Sequence, residues 1–407
     1  MPSRWRYAAL ADKIEPQELA RTRRAAPAFA LWQLGFRPFY LLGATFASLS
    51  IALWGAQAGG WLTTPYLRGP LWHAHEMVFG FTLAVMTGFL FTAVRNWTSR
   101  PTPTGAALAA LVMLWVAGRV LVLTPFDAAA AVVNVAFPLA VAVGIGRALI
   151  GSGNRHNLFF VGLLVIMAAA AAVTHLAALH IAAVPAWLGL RIALDVILLV
   201  MTVLGGRVIP IFTRNGVPGA LVRSSTLVER VVPISAVALL LCDLVAAPSP
   251  IVAIVVAIGA AAQAVRVLLW RPWQTRHVPL VWILHAGYGW IPLHLVLRAL
   301  AEFDLVAAPL ATHALTVGAI GGLTLGMMTR TAKGHTGRAL RADGWEIAAF
   351  VSVTAAAITR VLVPLALPSV YAAAVVASAA LWSAAYAIYA IRYWPVLTRP
   401  RVDGKAG

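Results

Sequence analysis

The sequence predicts an all-helical protein that crosses a membrane many times, and three observations point to this fold class. Hydrophobic residues make up 61% of the 407 residues and charged residues only 11%, whereas a soluble globular protein carries roughly 25% charged residues. The apolar residues form long runs, each near the roughly 20 residues that a helix needs to cross a bilayer. Basic residues recur in every second connection between these runs. A soluble protein is therefore excluded.

Twelve apolar runs divide the chain into a basic N-terminal tail (1–33), one transmembrane domain (34–398) and a short C-terminal tail (399–407). The connections are short and marked by Pro or Gly, as in Gly151-Ser152-Gly153, so no soluble domain is expected. The predicted spans lie near 38–57, 73–97, 104–123, 128–150, 157–180, 186–211, 228–247, 250–270, 278–300, 309–332, 345–363 and 369–395.

The basic residues predict the orientation of these helices. They occupy both tails and alternate connections, for example Arg95 and Arg100 after the second span, whereas the intervening connections carry almost none. By the positive-inside rule, twelve spans with both termini in the cytoplasm account for this pattern. The net charge of +18 then reflects membrane topology, with anionic lipid headgroups as the partner rather than nucleic acid.

The second, sixth and tenth predicted helices end in similar sequences. Their terminal residues Arg95, Arg214 and Arg330 are each separated by about one four-helix block. This spacing predicts three four-helix repeats, since internal symmetry is common in membrane folds. The alternative is that Thr and Arg simply end helices well at a cytoplasmic interface, through capping and snorkelling.

Histidines from several predicted helices converge in the outer half of the predicted bundle. Neutral imidazole is a common ligand for copper, zinc and iron, and haem iron takes axial histidine. The single cysteine, Cys242, excludes disulfides and thiolate-ligated clusters. The convergence favours a haem or metal centre, and the alternative is hydrogen bonding between helices. The candidates are His73, His75 and Glu76 on the second helix, His175 on the fifth, His285 on the ninth near mid-membrane, and His313 on the tenth.

Helix geometry limits which of these side chains act together. His73 and His75 point in nearly opposite directions, about 200° apart on an ideal helix, so one regular turn cannot present both to one centre. His73 and Glu76 share a face, which allows a hydrogen bond or joint metal binding. His285 and Tyr288 also share a face, which could bring an imidazole and a phenol together, although simple packing is the more usual reason for such a pair.

Two further expectations concern the sixth predicted helix. Arg191 and Asp195 have the spacing of an ion pair along one helix face. Gly205 and Gly206, followed by Pro210, predict that the end of the helix unwinds.

Several long motifs, which occur in a fixed order over residues 34–338, resemble the NnrS family. This resemblance implies a bacterial inner-membrane protein with twelve helices that contains haem and copper and is associated with nitric oxide and denitrification. It also implies functional roles for His73, His75, Glu76, His175, His285 and His313. The motifs are Gly35-Phe36-Arg37-Pro38-Phe39, Trp72-His73-Ala74-His75-Glu76-Met77, Gly88-Phe89-Leu90, Gly205-Gly206-Arg207-Val208-Ile209-Pro210, Trp282-Ile283-Leu284-His285 and His313-Ala314-Leu315-Thr316-Val317-Gly318.

The predicted repeat adds an analogy of fold alone. Three four-helix blocks with histidines on the second and tenth helices resemble the architecture of haem–copper oxidases and nitric oxide reductases, although the sequence motifs of that superfamily are absent. Fold similarity of this kind does not establish function.

The leading expectation is an oxidoreductase that binds nitric oxide at a haem iron, beside copper or another second metal, and reduces it to nitrous oxide. His75, His175, His285 and His313 would bind the cofactor, His73 would serve as a further metal ligand, and Glu76 and Tyr288 would act in catalysis. No haem c motif is present, so the haem is expected to be b-type, and the electron donor must be an external quinol or periplasmic carrier. The alternatives are a transporter of a metal ion or small anion, a haem-based sensor of nitric oxide, and a metal-insertion factor.

Overall fold

The structure is a computed structural model that describes residues 29–61 and 66–404, so most of the predicted N-terminal tail and the last three residues lie outside it. Within these ranges it contains twelve helices and no strands. They are α1 (Phe36–Ala58), α2 (Gly69–Thr98), α3 (Gly105–Leu121), α4 (Asp127–Gly151), α5 (Phe159–Ala178), α6 (Ala186–Gly216), α7 (Thr226–Leu244), α8 (Ser249–Trp270), α9 (Pro279–Ala301), α10 (Ala308–His335), α11 (Gly344–Ala366) and α12 (Tyr371–Thr398).

Each predicted span corresponds to one of these helices, which confirms the all-helical membrane fold. Ten of the helices in the described ranges are long and apolar enough to cross a membrane. The apolar helix α3 is shorter, with 17 residues. The helix α7 carries Glu229, Arg230 and Asp243 within 19 residues. A multi-pass membrane protein follows from these features, while twelve crossings with both termini in the cytoplasm stay a prediction.

The helices are arranged as a closed ring. Each helix packs against the next along the chain, and α12 packs against α1. The helices α2, α6 and α10 also pass close to the axis, where all three line one apolar cavity. The second helix of each four-helix block thus has the same place in the bundle. The threefold repeat itself stays a prediction.

Three helices contain a wide, π-helical turn. In α2 it spans Glu76–Thr82, in α10 Ala314–Ile320 and in α11 Ile358–Leu362. The first two begin directly after His75 and His313. A π-helical turn inserts an extra residue and rotates the side chains on either side of it, and such turns are frequent at functional sites.

The expected unwinding of α6 is wrong, because the helix continues through Pro210 to Gly216. Its glycines instead allow close approach by other helices. A side chain at Gly205 would collide with the ring of Tyr288, and one at Gly206 with the guanidinium of Arg266. The glycines therefore serve packing between helices rather than a break in one helix.

The expected ion pair within α6 is also replaced by contacts between helices. Arg191 lies 3.7 Å from the Asp243 carboxylate of α7. Arg298 of α9 lies closer to the same carboxylate, at 2.8 Å. Asp195 is buried, and its Oδ2 atom has no hydrogen-bond partner among the described residues. Spacing along α6 could not reveal that Arg191 faces a carboxylate of α7, or that Arg298 of α9 lies closer to that carboxylate.

Candidate metal centre

The helices α2 and α5 bring two buried histidines into direct contact. The Nε2 atoms of His75 and His175 lie 3.2 Å apart. Both side chains are almost completely inaccessible to solvent. Two ring nitrogens from different helices therefore face one common point inside the bundle.

Glu76, next to His75 on α2, is the carboxylate that supports this pair. The helix begins at Gly69, which has a φ of +54°, followed by Pro70. The Glu76 Oε1 atom lies 2.8 Å from Nδ1 of the adjacent His75. The sequence instead paired Glu76 with His73, three residues earlier on the same face. The backbone is still regular α-helix at this point, since the Glu76 N–H bonds to the Trp72 carbonyl, so the side chain of Glu76 selects its partner and the π-helical turn that follows does not.

A buried arginine neutralises the Glu76 carboxylate. The Nε atom of Arg119, on α3, lies 3.2 Å from Glu76 Oε2. The same guanidinium donates to Asn134 of α4. It lies against Gly80, where a side chain would collide with it. Sequence reasoning missed Arg119, although a charged residue inside an apolar run was a usable signal.

Tyr66, in the connection between α1 and α2, supports His175 from the other side. Its hydroxyl lies 3.2 Å from His175 Nδ1 and 3.3 Å from the carbonyl oxygen of the same residue. The two rings are stacked, with centroids 5.7 Å apart. Burial raises the pKa of Tyr66 to about 12, and the Asp127 carboxylate acts in the same direction. The phenol therefore keeps its proton at neutral pH.

Glu76 sets the tautomer of His75, whereas Tyr66 permits two tautomers of His175. His75 Nδ1–H donates to Glu76, which leaves the His75 Nε2 atom without a proton. If the Tyr66 hydroxyl donates to the His175 carbonyl, His175 Nδ1–H donates to Tyr66, and two bare Nε2 atoms 3.2 Å apart favour a cation beside them. If the hydroxyl donates to His175 Nδ1, His175 Nε2–H donates to His75 Nε2 and the pair is satisfied without a cation. Adjacent imidazole ligands at 2.0–2.1 Å from a tetrahedral metal are about 3.3 Å apart, close to the separation found here.

The remaining predicted histidines of α2 and α10 lie near the same end of the bundle but outside this contact. The ring of His73 stacks on Trp54 at 4.3 Å, and its Nδ1 atom is buried without a hydrogen-bond partner. His313 Nδ1 lies 2.6 Å from the Pro309 carbonyl oxygen, and its Nε2 atom lies 3.4 Å from Arg360 Nη2. The opposite directions expected for His73 and His75 agree with this separation.

The structure does not bring His285 and Tyr288 to the histidine pair. His285 Nε2 lies 2.8 Å from the Thr213 hydroxyl, near the far end of α6. Thr213 is about 40 Å along α6 from its first residue, at a rise of 1.5 Å per residue. The Tyr288 hydroxyl accepts from Arg266 at 2.8 Å and donates to Gln263 at 2.6 Å. The expected joint action of imidazole and phenol therefore has no contact to support it.

The histidine pair supplies two ligands, and further ligands must come from elsewhere. No group of three or more His, Cys, Asp or Glu side chains suited to a metal occurs among residues 29–61 and 66–404. A metal held by two imidazoles keeps open positions for solvent or substrate, which is typical of catalytic rather than structural sites. The carboxylate behind His75 matches the carboxylate–histidine arrangement that orients metal ligands.

Fold and site together define a class: a multi-pass helical membrane protein with a buried histidine pair backed by a carboxylate and a tyrosine. Comparison with known families gives the particular assignment. The family model described as NnrS protein matches residues 30–401, nearly the whole chain, so the chain belongs to the NnrS family. This match confirms the resemblance seen in the motifs. A search of curated proteins found no match.

Proposed function

We propose that this protein is a membrane oxidoreductase that binds nitric oxide at a metal held by His75 and His175 and reduces it to nitrous oxide. The observation that carries the proposal is the 3.2 Å contact between the Nε2 atoms of two buried histidines from different helices. Membership of the NnrS family supports the link to nitric oxide. In the cell this activity would protect against nitrosative stress and support denitrification.

Copper is the ion that we propose for this pair. The donor set is imidazole nitrogen, which suits copper, and the chain has no cysteine pair to favour a structural zinc site. Bound copper would supply one-electron redox chemistry and an open position for a small diatomic ligand. His75 and His175 would hold the ion. Glu76 and Tyr66 would fix the orientation of the two rings, as outer partners of metal ligands do.

A haem does not fit between His75 and His175, because a macrocycle cannot enter a gap of 3.2 Å between their Nε2 atoms. His313 would hold the haem instead. Its Nδ1 atom lies 2.6 Å from the Pro309 carbonyl oxygen, and its Nε2 atom, which now lies 3.4 Å from Arg360 Nη2, would bind the iron. The Nη1 atom of the adjacent Arg360 is buried without a partner, and a haem propionate would satisfy it. The b-type haem of the proposal is therefore assigned to His313.

The proposed reaction consumes two nitric oxide molecules, two electrons and two protons, and yields nitrous oxide and water. The electrons would come from an external quinol or periplasmic carrier. Glu76 is the carboxylate nearest the histidine pair, and we assign it to hold a proton for the developing oxide. Nitric oxide dissolves in lipid, so a site inside the bilayer of the bacterial inner membrane is accessible to it.

The decisive experiment measures metal content and turnover in protein purified in detergent. We expect copper bound to the wild type, a Soret band from haem, and consumption of nitric oxide when an electron donor is added. His75→Ala and His175→Ala should each lose copper and activity, because one imidazole cannot hold the ion alone. His277→Ala is the matched control, since His277 is exposed and remote from the pair, and it should retain both.

These measurements distinguish an oxidoreductase from a sensor and from a transporter. Absence of bound metal together with absence of nitric oxide consumption would overturn the proposal. Binding of nitric oxide without turnover would identify a sensor instead. Transport of a metal ion into liposomes, with no chromophore and no consumption of nitric oxide, would identify a transporter.

A further inference from the structure

The centre of the ring contains a cavity of about 100 Å³. Most of its wall comes from α2, α6 and α10, the helices that pass closest to the axis, with single contributions from α1 and α9. The lining is almost entirely hydrocarbon and thioether, exemplified by Val85, Met86, Val200, Leu204 and Leu323. The cavity is partly open rather than sealed by the surrounding side chains.

The few polar side chains of the lining have no free proton to donate to water inside the cavity. The Thr82 hydroxyl donates to the Met77 carbonyl at 2.7 Å, and the Thr324 hydroxyl donates to the Ile320 carbonyl at 2.6 Å. The Tyr40 hydroxyl is buried out of reach of water and has no hydrogen-bond partner among the described residues. A buried water needs two to four polar partners, and an apolar cavity without them stays dry and takes up apolar ligands such as xenon.

The lining also excludes a metal ion or haem as the occupant. No histidine, cysteine, carboxylate or basic residue belongs to it among the described residues. Three methionines, Met86, Met201 and Met327, do line the wall. Arg95, Arg214 and Arg330 end the three helices alike, and each methionine lies a different number of residues before the arginine of its own helix. The three sulfur atoms therefore lie at different heights along the axis and do not form one ligand set.

The cavity lies next to the candidate metal centre along α2. The ring of Phe79 packs against His75 with centroids 5.2 Å apart. Thr82, less than one turn further along the same helix, lines the cavity. The π-helical turn Glu76–Thr82 thus joins the two features, with the Phe79 ring between them.

We propose that this central cavity is a binding site for small, neutral, apolar gas molecules and holds nitric oxide about 10 Å along α2 from His75. The part that concerns nitric oxide rests on the proposed function, whereas the binding of apolar gas does not. The site would keep a second substrate molecule close to the centre, which a reaction that joins two nitric oxide molecules requires.

Xenon is the probe, because it is apolar, neutral and chemically inert. A xenon NMR titration of the detergent-purified protein, with empty micelles subtracted, should show a saturable shift for the wild type. Val200→Phe and Val85→Phe place a phenyl ring in the cavity from two different helices and should each reduce the shift at least twofold. Val143→Phe makes the same substitution at a position that is 53% exposed on α4, and it should leave the shift unchanged.

The outcomes separate this proposal from the proposed function. A wild-type shift no larger than that of empty micelles would overturn the cavity site even if the protein consumes nitric oxide. Equal shifts in all four proteins would also overturn it, because xenon would then bind elsewhere. A saturable shift that both cavity variants lose supports the site, whether or not nitric oxide is consumed.

Discussion

At the scale of single residues, the histidine pair depends on neighbouring side chains that do not themselves contact the two Nε2 atoms. Glu76 holds His75 Nδ1–H, and Arg119 in turn neutralises Glu76. Tyr66 holds His175 Nδ1. Glu76 thus sets the tautomer of His75, and Tyr66 fixes the orientation of the His175 ring. The sites of metal proteins commonly depend on such outer partners nearly as strongly as on the ligands.

The Glu76→Gln variant tests this dependence. Glutamine keeps the shape of the side chain but removes the charge that makes His75 a stronger ligand. We expect copper affinity to fall about 10- to 100-fold, as is typical when an outer partner is changed. A titration with a competing chelator measures this change.

Glu302→Gln is the matched control for that experiment. Glu302 pairs with Arg298 at 2.7 Å and has no contact with the histidine pair. Its substitution should leave copper affinity unchanged. Equal affinities for wild type and Glu76→Gln would show that the carboxylate does not support the metal.

At the scale of helices, α9 and α10 approach so closely that glycine is required at the crossing. A side-chain Cβ atom at Gly287 would lie 2.7 Å from the backbone nitrogen of Leu323 and 3.0 Å from the carbonyl carbon of Gly322. Backbone atoms cannot move aside as the end of a flexible side chain can. Close contact between small residues is a main source of helix association in membranes.

Gly287→Ala is therefore expected to destabilise the protein by about 1–3 kcal/mol, the usual cost of overpacking a well-packed interior. Gly289, two residues further along α9, has open space where its Cβ atom would lie. Gly289→Ala should leave stability unchanged or raise it by up to about 1 kcal/mol, because alanine favours a helix. Thermal unfolding in detergent compares the two variants. Equal midpoints for both would contradict the close packing at Gly287.

At the scale of the whole molecule, the ring closes because α12 packs against α1. Arg37, at the start of α1, contributes to this closure. Its guanidinium donates to the carbonyl oxygens of Leu397 and Arg399 at 3.0 and 2.8 Å. The beginning and the end of the membrane domain are thus bonded to each other.

The predicted orientation of this ring can be tested with cysteine labelling in a Cys242→Ser background. Ser152→Cys lies in a basic connection, after α4, and Ala307→Cys lies in the connection between α9 and α10. Both positions are exposed. If both termini are cytoplasmic, a membrane-impermeant maleimide should label Ala307→Cys in intact spheroplasts, and Ser152→Cys only after lysis. Labelling of Ser152→Cys in intact spheroplasts would reverse the predicted orientation.

The sequence by itself determined the twelve helices and their approximate bounds, because apolar length and short Pro- and Gly-marked connections act locally along the chain. It also indicated His75, Glu76 and His175 as candidates, since ionisable groups in apolar runs are costly to keep there. Which of these residues contact one another was decided only by the packing of the helices.

The Glu76 side chain reaches the adjacent His75 rather than His73, and the packing of α3 brought in Arg119, which no spacing along α2 could reveal. The ring arrangement likewise placed His285 beside Thr213, far from the pair that it was expected to join. Helix formation depends on neighbours in sequence, whereas the composition of a site depends on which faces of distant helices meet.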